Sequence, residues 1–180
     1  MNRKYLRIII SLVFFVFLLN IRFANAEQGD RELQISGGFH FVQGDASTGT
    51  AQGEIAYGYM WTDVWQIGVR QLASYELNDP IEDVWTGSTT LFANYYFWAD
   101  EPEKQLQPFL GAFLGLGYSD VDVTGTAGPA LGAKYNLSDD AFLLGQYHWE
   151  KYFKDLKAGS ETTDYDTSNH VFTVGFGFRW

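Results

Sequence analysis

Cysteine is absent from this 180-residue chain. That excludes disulfides, thiolate metal sites, a cysteine nucleophile and a lipid-modified N-terminal cysteine. Beyond the first 26 residues no stretch is apolar for long enough to cross a bilayer as a helix, which takes about 20 residues. Positive charge is also scarce. Four of the 12 bases and none of the 22 acids fall within residues 1–26, so the remainder carries 8 bases against 22 acids, a net charge of −14. Such a balance argues against nucleic-acid binding, which needs a basic patch to neutralise phosphates. It also argues against direct electrostatic attachment to anionic headgroups, unless divalent cations bridge the two.

What is present is aromatic and small. Aromatics make up 18% of the chain, alongside 19 glycines. With no helix-forming runs, this composition points to an all-β protein with closely approaching backbones.

Residues 1–26 have the form of a secretory signal. Arg3, Lys4 and Arg7 form a basic start, Ile8 to Leu19 an apolar run, and Ala24-Asn25-Ala26 a small-x-small cleavage site. The expected cut after Ala26 leaves Glu27 as the first residue of a single domain, 27–180.

Hydrophobicity in that domain repeats every second residue. The last segment is the clearest. Phe172, Val174, Phe176, Phe178 and Trp180 fall on one face; Val171, Thr173, Gly175, Gly177 and Arg179 fall on the other. The same alternation recurs at about 32–42, 52–61, 65–75, 89–98, 107–118, 127–137 and 141–153. Eight strands follow, each near the 9–11 residues a tilted strand needs to cross a bilayer. Short turns at 62–64, 99–106 and 138–140 alternate with mostly longer polar connections at 43–51, 76–88, 119–126 and 155–169.

A soluble eight-stranded barrel is the structural rival. It would carry abundant charge on its outer face. Here the less apolar face carries Gln34, Ser36, Gly38, Glu54, Gly58, Gln66, Gly68, Asn94, Gly111, Gly132 and Gln146. These residues suit a crowded interior, which leaves the bulky face for lipid. Aromatics near the strand ends fit two interfacial girdles. The fold class is therefore an eight-stranded antiparallel transmembrane β-barrel after a cleaved signal peptide.

The ending 172–180, with Phe176, Phe178 and Trp180 at alternate positions, resembles the C-terminal sorting signal of bacterial outer-membrane barrels. Gly58-Tyr59, Tyr95-Tyr96-Phe97 and 132–137 resemble recurring pieces of the small porin-family barrels of the OmpA, OmpX and OmpW type. That resemblance implies an outer-membrane location, loops outside the cell and both mature termini in the periplasm. It implies recognition by the barrel-assembly machinery and contact with outer-membrane lipids and lipopolysaccharide. The expected state is a monomer without a cofactor.

An eight-stranded barrel is just wide enough for side chains to fill. Its inward set here includes Glu54, Arg70, Lys134, His40, His148, Glu150, Gln66, Gln107, Asn94, Gln146, Phe92, Phe109 and Phe113. Buried charges need partners. Pairing around the 62–64 turn sets Glu54 opposite Leu72, with Arg70 as its diagonal neighbour, so an interior Glu54–Arg70 ion pair is expected. Lys134 falls opposite Leu144 and about six residues in depth from Glu150, so a direct bond between the two is not expected, and a partner across the barrel is left open for either. His148, Glu150 and His40 share the inward face without showing three convergent metal ligands, and hydrogen-bonded interior histidines are expected.

Ser168 and His170, with Asp164 and Asp166 nearby, are the residues that an enzyme acting on lipid A could use. Their Ser-Asn-His order runs opposite to that of the lipid A deacylases, and proximity in sequence alone makes no nucleophile–base pair. No enzymatic role is expected. Asp79, Glu82, Asp83, Asp120, Asp122, Glu161, Asp164 and Asp166 give acidic loops, read as a solvated surface, with weak Ca²⁺ or Mg²⁺ binding as the alternative. Trp85 in the second loop is a candidate adhesive contact. The functional expectation is a structural outer-membrane protein with a narrow channel. A loop-mediated adhesin is the alternative, and a lipid A-modifying enzyme ranks below both.

Overall fold

The computed structural model describes residues 29–42, 48–78, 84–97, 105–120, 122–138, 140–154, 157–158, 163–164 and 168–180. The expected signal peptide, with Ala24, Ala26 and Glu27, lies outside them, as do Asp79, Glu82, Asp83, Glu161 and Asp166. So do the side chains of His40 and Asp164.

The strands are β1 (Arg31–Val42), β2 (Thr48–Met60), β3 (Trp65–Asn78), β4 (Val84–Tyr96), β5 (Leu106–Ser119), β6 (Val123–Asn136), β7 (Ala141–Tyr152), β8 (Lys157–Ala158), β9 (Thr163–Asp164) and β10 (Ser168–Arg179). Eight of them form a closed antiparallel barrel in the order β1-β10-β7-β6-β5-β4-β3-β2, while β8 and β9 pair as a separate short ribbon. Closure is made by β1 against β10. Arg31 N–H donates to the Trp180 carbonyl at 2.9 Å, and Trp180 N–H donates to the Arg31 carbonyl at 3.0 Å.

Alternation decides what faces in. Glu32, Gln34 and Ser36 of β1 are buried, whereas Ile35 between them is exposed. The exposed face is apolar: Leu91, Leu110, Leu114, Leu131, Phe172 and Val174 all project outward, the last at 72% exposure. An apolar belt around a closed barrel with a polar interior inverts the arrangement water would select, and it matches a lipid surround.

Four inward phenylalanines each lie directly opposite a glycine on the neighbouring strand: Phe92 opposite Gly68, Phe109 and Phe113 opposite Gly132 and Gly128, and Phe142 opposite Gly177. A methyl group added at any of these glycines would meet the facing ring. Large and small residues thus interlock across the narrow lumen.

Strand limits differ from the sequence expectation mainly at the end carrying the longer connections, here the loop end. β2, β4 and β6 begin at Thr48, Val84 and Val123, several residues earlier than hydrophobic alternation indicates. Gly, Thr and Ser there pair as strand although their composition reads as loop. Trp85 consequently belongs to β4, where its ring meets Tyr118 edge-on at 6.1 Å, and not to a loop. The third connection shrinks to a turn in which Ser119 N–H donates to the Asp122 carbonyl at 2.9 Å and Asp122 N–H to Ser119 Oγ at 3.0 Å. The opposite end carries the 61–64 and 137–140 turns and the chain terminus, and is called here the terminal end.

Candidate functional site: the charged interior

Among the described residues, the interior carries three buried carboxylates in three different environments. Glu32 of β1, near the terminal end, is fully enclosed. Its Oε2 accepts from Lys134 Nζ, from Gln66 Nε2 at 2.5 Å and from Gln34 Nε2 at 3.3 Å. Its Oε1 accepts from Arg179 Nε at 3.0 Å and Nη2 at 2.8 Å. Lys134 also lies 4.3 Å from the centre of the Tyr96 ring and 4.8 Å from that of Phe142. Tyr96 in turn donates from its hydroxyl to Gln66 Oε1 at 2.8 Å. Two cations and two amides therefore surround a single carboxylate, and two rings flank its lysine. Low local dielectric makes such charge-assisted bonds strong and their loss costly.

Glu54 of β2 occupies a looser layer. Its Oε1 accepts from Gln146 Nε2 at 2.5 Å and Ser36 Oγ at 3.2 Å. Arg70 Nε stands 3.5 Å from the same oxygen, and His148 Nδ1 stands 3.9 Å from Oε2. The Arg70 guanidinium lies over Phe92 at 5.0 Å and Phe113 at 5.9 Å. Among the described residues, Glu54 Oε2, Arg70 Nε, Thr90 Oγ1, His148 Nε2 and Thr173 Oγ1 are buried without a hydrogen-bond partner. The layer is thus electrically matched and incompletely bonded.

Glu150 of β7 has hydroxyl partners only. Thr126 Oγ1 donates to its Oε1 at 3.1 Å, and Tyr152 OH donates to its Oε2 at 3.2 Å. No Lys or Arg of the described residues is within ion-pair distance of it.

Glu54 and Arg70 come together, Lys134 finds its acid across the barrel, and His148 joins the Glu54 layer. Glu150 makes no ion pair with any of them, though it feels the charge of Arg70. Sequence reasoning did not single out Glu32, Tyr96 or Arg179. The signal was present in parity, since Glu32 shares a face with Gln34 and Ser36. Among the described residues no three His, Asp or Glu side chains converge as metal ligands.

At the loop end, His170 Nδ1 is 2.6 Å from Tyr147 OH, and the two rings stack at 5.9 Å. Its position is opposite Trp149, while Ser168 is opposite Lys151. The hydroxyl of Tyr147 is thus the partner of the His170 ring.

The closed sheet, apolar exterior and filled polar lumen define an eight-stranded transmembrane β-barrel of the outer-membrane type. Solved structures share this fold. Neisserial surface protein A superposes with a TM-score of 0.58 at 17% identity, covering 87% of this chain and 98% of that one. The N-terminal β-barrel domain of Pseudomonas aeruginosa OprF gives 0.52 at 20% identity, covering 85% of this chain and all of that one. No protein-family description matches the sequence. No curated protein matches it either.

Proposed function

We propose that this protein is a structural barrel of the bacterial outer membrane whose lumen is closed at rest and opens only to a narrow, transient channel. The observation that carries this reading is the contrast between two interior layers. Around Glu32 both carboxylate oxygens are filled by Lys134, Arg179, Gln34 and Gln66. Around Glu54 the ion pair with Arg70 is longer, and several buried polar atoms lack partners. A fully satisfied network holds a barrel together, whereas an incompletely satisfied one leaves room for rearrangement. Loops face outward and termini the periplasm in this reading, and the chain acts as a monomer without a catalytic step or cofactor. Phe176, Phe178 and Trp180 serve the barrel-assembly machinery as a sorting signal.

The test is a deletion strain complemented with the full chain or with a chain whose residues 155–167 are replaced by a short Gly-Ser turn. Both should restore resistance to detergent and to large hydrophobic antibiotics. Restoration by the full chain alone, together with loss of surface attachment, would transfer the function to the loops and favour an adhesin. An altered acyl number in the lipid A of expressing cells would make it an enzyme.

A further inference from the structure

Charge along the lumen is balanced in two layers and unbalanced in the third. At the terminal end Glu32 meets Lys134 and Arg179, and Arg179 Nε also lies 3.8 Å from Asp30 Oδ2. In the middle Glu54 faces Arg70. At the loop end Glu150 is 3% exposed and makes no ion pair among the described residues. Arg70, whose charge reaches it, is committed to Glu54. Lysines near it in sequence do not supply the missing charge. Lys151 is exposed and, by parity with exposed Trp149 and Phe153, lies on the outward face. Lys154 Nζ is 3.0 Å from Asp122 Oδ1 and is largely exposed. A carboxylate enclosed in a narrow lumen is costly without a counter-charge. An unpaired acid at membrane depth therefore marks a site.

The groups around Glu150 are oxygen ligands. Thr126 Oγ1 of β6 is 3.1 Å from its Oε1, and Tyr152 OH of β7 is 3.2 Å from its Oε2. Ser88 of β4 is a third hydroxyl partner. β4 and β7 are not neighbours in the sheet, so these hydroxyls reach the carboxylate from two sides of the lumen. All of these side chains are buried. A hydroxyl both donates and accepts. It can donate to the carboxylate and at the same time present a lone pair to a cation held there. The lumen next to this layer is polar as well. His148, two residues from Glu150 on the same inward face, leaves Nε2 without a partner. Thr90, two residues from Ser88 and opposite Arg70 in register, leaves Oγ1 without one. Thr90 and His148 are only 2% and 4% exposed. Buried polar atoms of this kind call for a polar occupant of the lumen beside them.

We infer that Glu150, with the hydroxyl oxygens of Ser88, Thr126 and Tyr152, binds a monovalent cation at the loop end of the lumen. One carboxylate balances one positive charge. A calcium-type site takes more carboxylate than this one offers, since no three His, Asp or Glu side chains converge among the described residues. The cation completes the pattern of the other two layers, in which each acid has its base. A fixed negative charge between low-dielectric walls also concentrates cations and repels anions. The channel proposed above is then cation-selective, and Glu150 is the residue that sets its selectivity. That consequence rests on the channel reading; the binding of the cation does not.

The experiment uses the refolded chain in detergent micelles at neutral pH, in potassium chloride or in N-methyl-D-glucamine chloride of equal ionic strength. The urea midpoint should be higher in potassium and should rise with its concentration, because a ligand that binds only the folded state stabilises it. Glu150→Gln, which keeps the shape of the side chain, should lose this dependence. Tyr152→Phe should reduce it, and Asp120→Asn, on the exposed loop side, should keep it. Heat-modifiable gel mobility confirms that each variant is folded. The infrared difference between the parent and Glu150→Gln in potassium should show a carboxylate band. A carboxylic-acid band instead would mean that Glu150 holds a proton, and would overturn the cation. A parent indifferent to potassium, a dependence kept in Glu150→Gln or one lost in Asp120→Asn would overturn the site. Planar-bilayer recording under a potassium chloride gradient reads the consequence. Openings should reverse toward the potassium equilibrium potential in the parent and near zero in Glu150→Gln. Silent bilayers with the potassium dependence intact would refute the channel and leave the site standing. Openings with the same reversal potential in both proteins would refute the role of Glu150 in selectivity and leave the channel.

Discussion

Glu32 and Lys134 are 102 residues apart in sequence and meet inside the barrel, both almost wholly enclosed. Neither strand is the other's neighbour in the sheet. The pair spans the lumen, and Arg179 holds the second oxygen of the same carboxylate at 2.8 Å.

Removing the acid strands the enclosed Lys134, whereas Arg179 keeps Asp30, whose Oδ2 is 3.8 Å from its Nε. Glu32→Ala should lower unfolding stability by about 3–5 kcal/mol, the scale for breaking a buried pair from one side. Lys134→Met should cost less, because Arg179 still neutralises Glu32. Urea unfolding in lipid vesicles checks both. Combining Glu32→Gln with Lys134→Met should recover much of the loss, and simple additivity would deny that the two residues are coupled.

Glycine matters where a ring faces it. A Cβ at Gly132 would lie 2.6 Å from the Phe109 ring, whereas at Gly145 nothing stands within 4 Å. Gly132→Ala should destabilise by about 1–3 kcal/mol through overpacking, and Gly145→Ala should be close to neutral. Their unfolding midpoints in the same vesicles give the comparison.

The lipid face is tested by charge. Leu114, in the middle of β5 and 58% exposed, faces outward. Leu114→Lys should cost about 2–4 kcal/mol in a bilayer. A neutral result would mean that water, not lipid, surrounds this surface.

Trp180 joins two roles, since its backbone closes the barrel with Arg31 and its side chain ends the alternating aromatic series. Trp180→Phe should assemble in cells at the level of the parent. Trp180→Ser should lower the heat-modifiable fraction in membranes while still refolding in detergent. Equal membrane levels for Trp180→Ser would remove the sorting role.

Much of the architecture was legible because a strand's parity is local. Once Phe172, Val174 and Phe176 face lipid, Thr173 and Gly175 must face inward, and the same logic serves every strand. Turn length sets register between neighbours, so Glu54 opposite Leu72 follows from the 62–64 turn. The Glu32–Lys134 contact does not follow, because it depends on how the closed sheet staggers β1 against β6 across the lumen. Glu32 was detectable as an inward acid, but its partner was not. The extra length of β2, β4 and β6 was hidden for a different reason. Their loop-end residues are Gly, Thr and Ser, whose pairing is set by the neighbouring strand more than by their own preference. Trp85 was misplaced on that account.

The proposed lumen is closed at rest, with its adjustable layer at Glu54 and Arg70. Single-channel recording of the refolded chain in a planar bilayer, beside Arg70→Ala, tests it most directly. The parent should show rare, brief openings, and Arg70→Ala longer or more frequent ones, because the guanidinium over Phe92 and Phe113 is gone. A steady open conductance in the parent, or recordings indistinguishable between the two folded proteins, would contradict it.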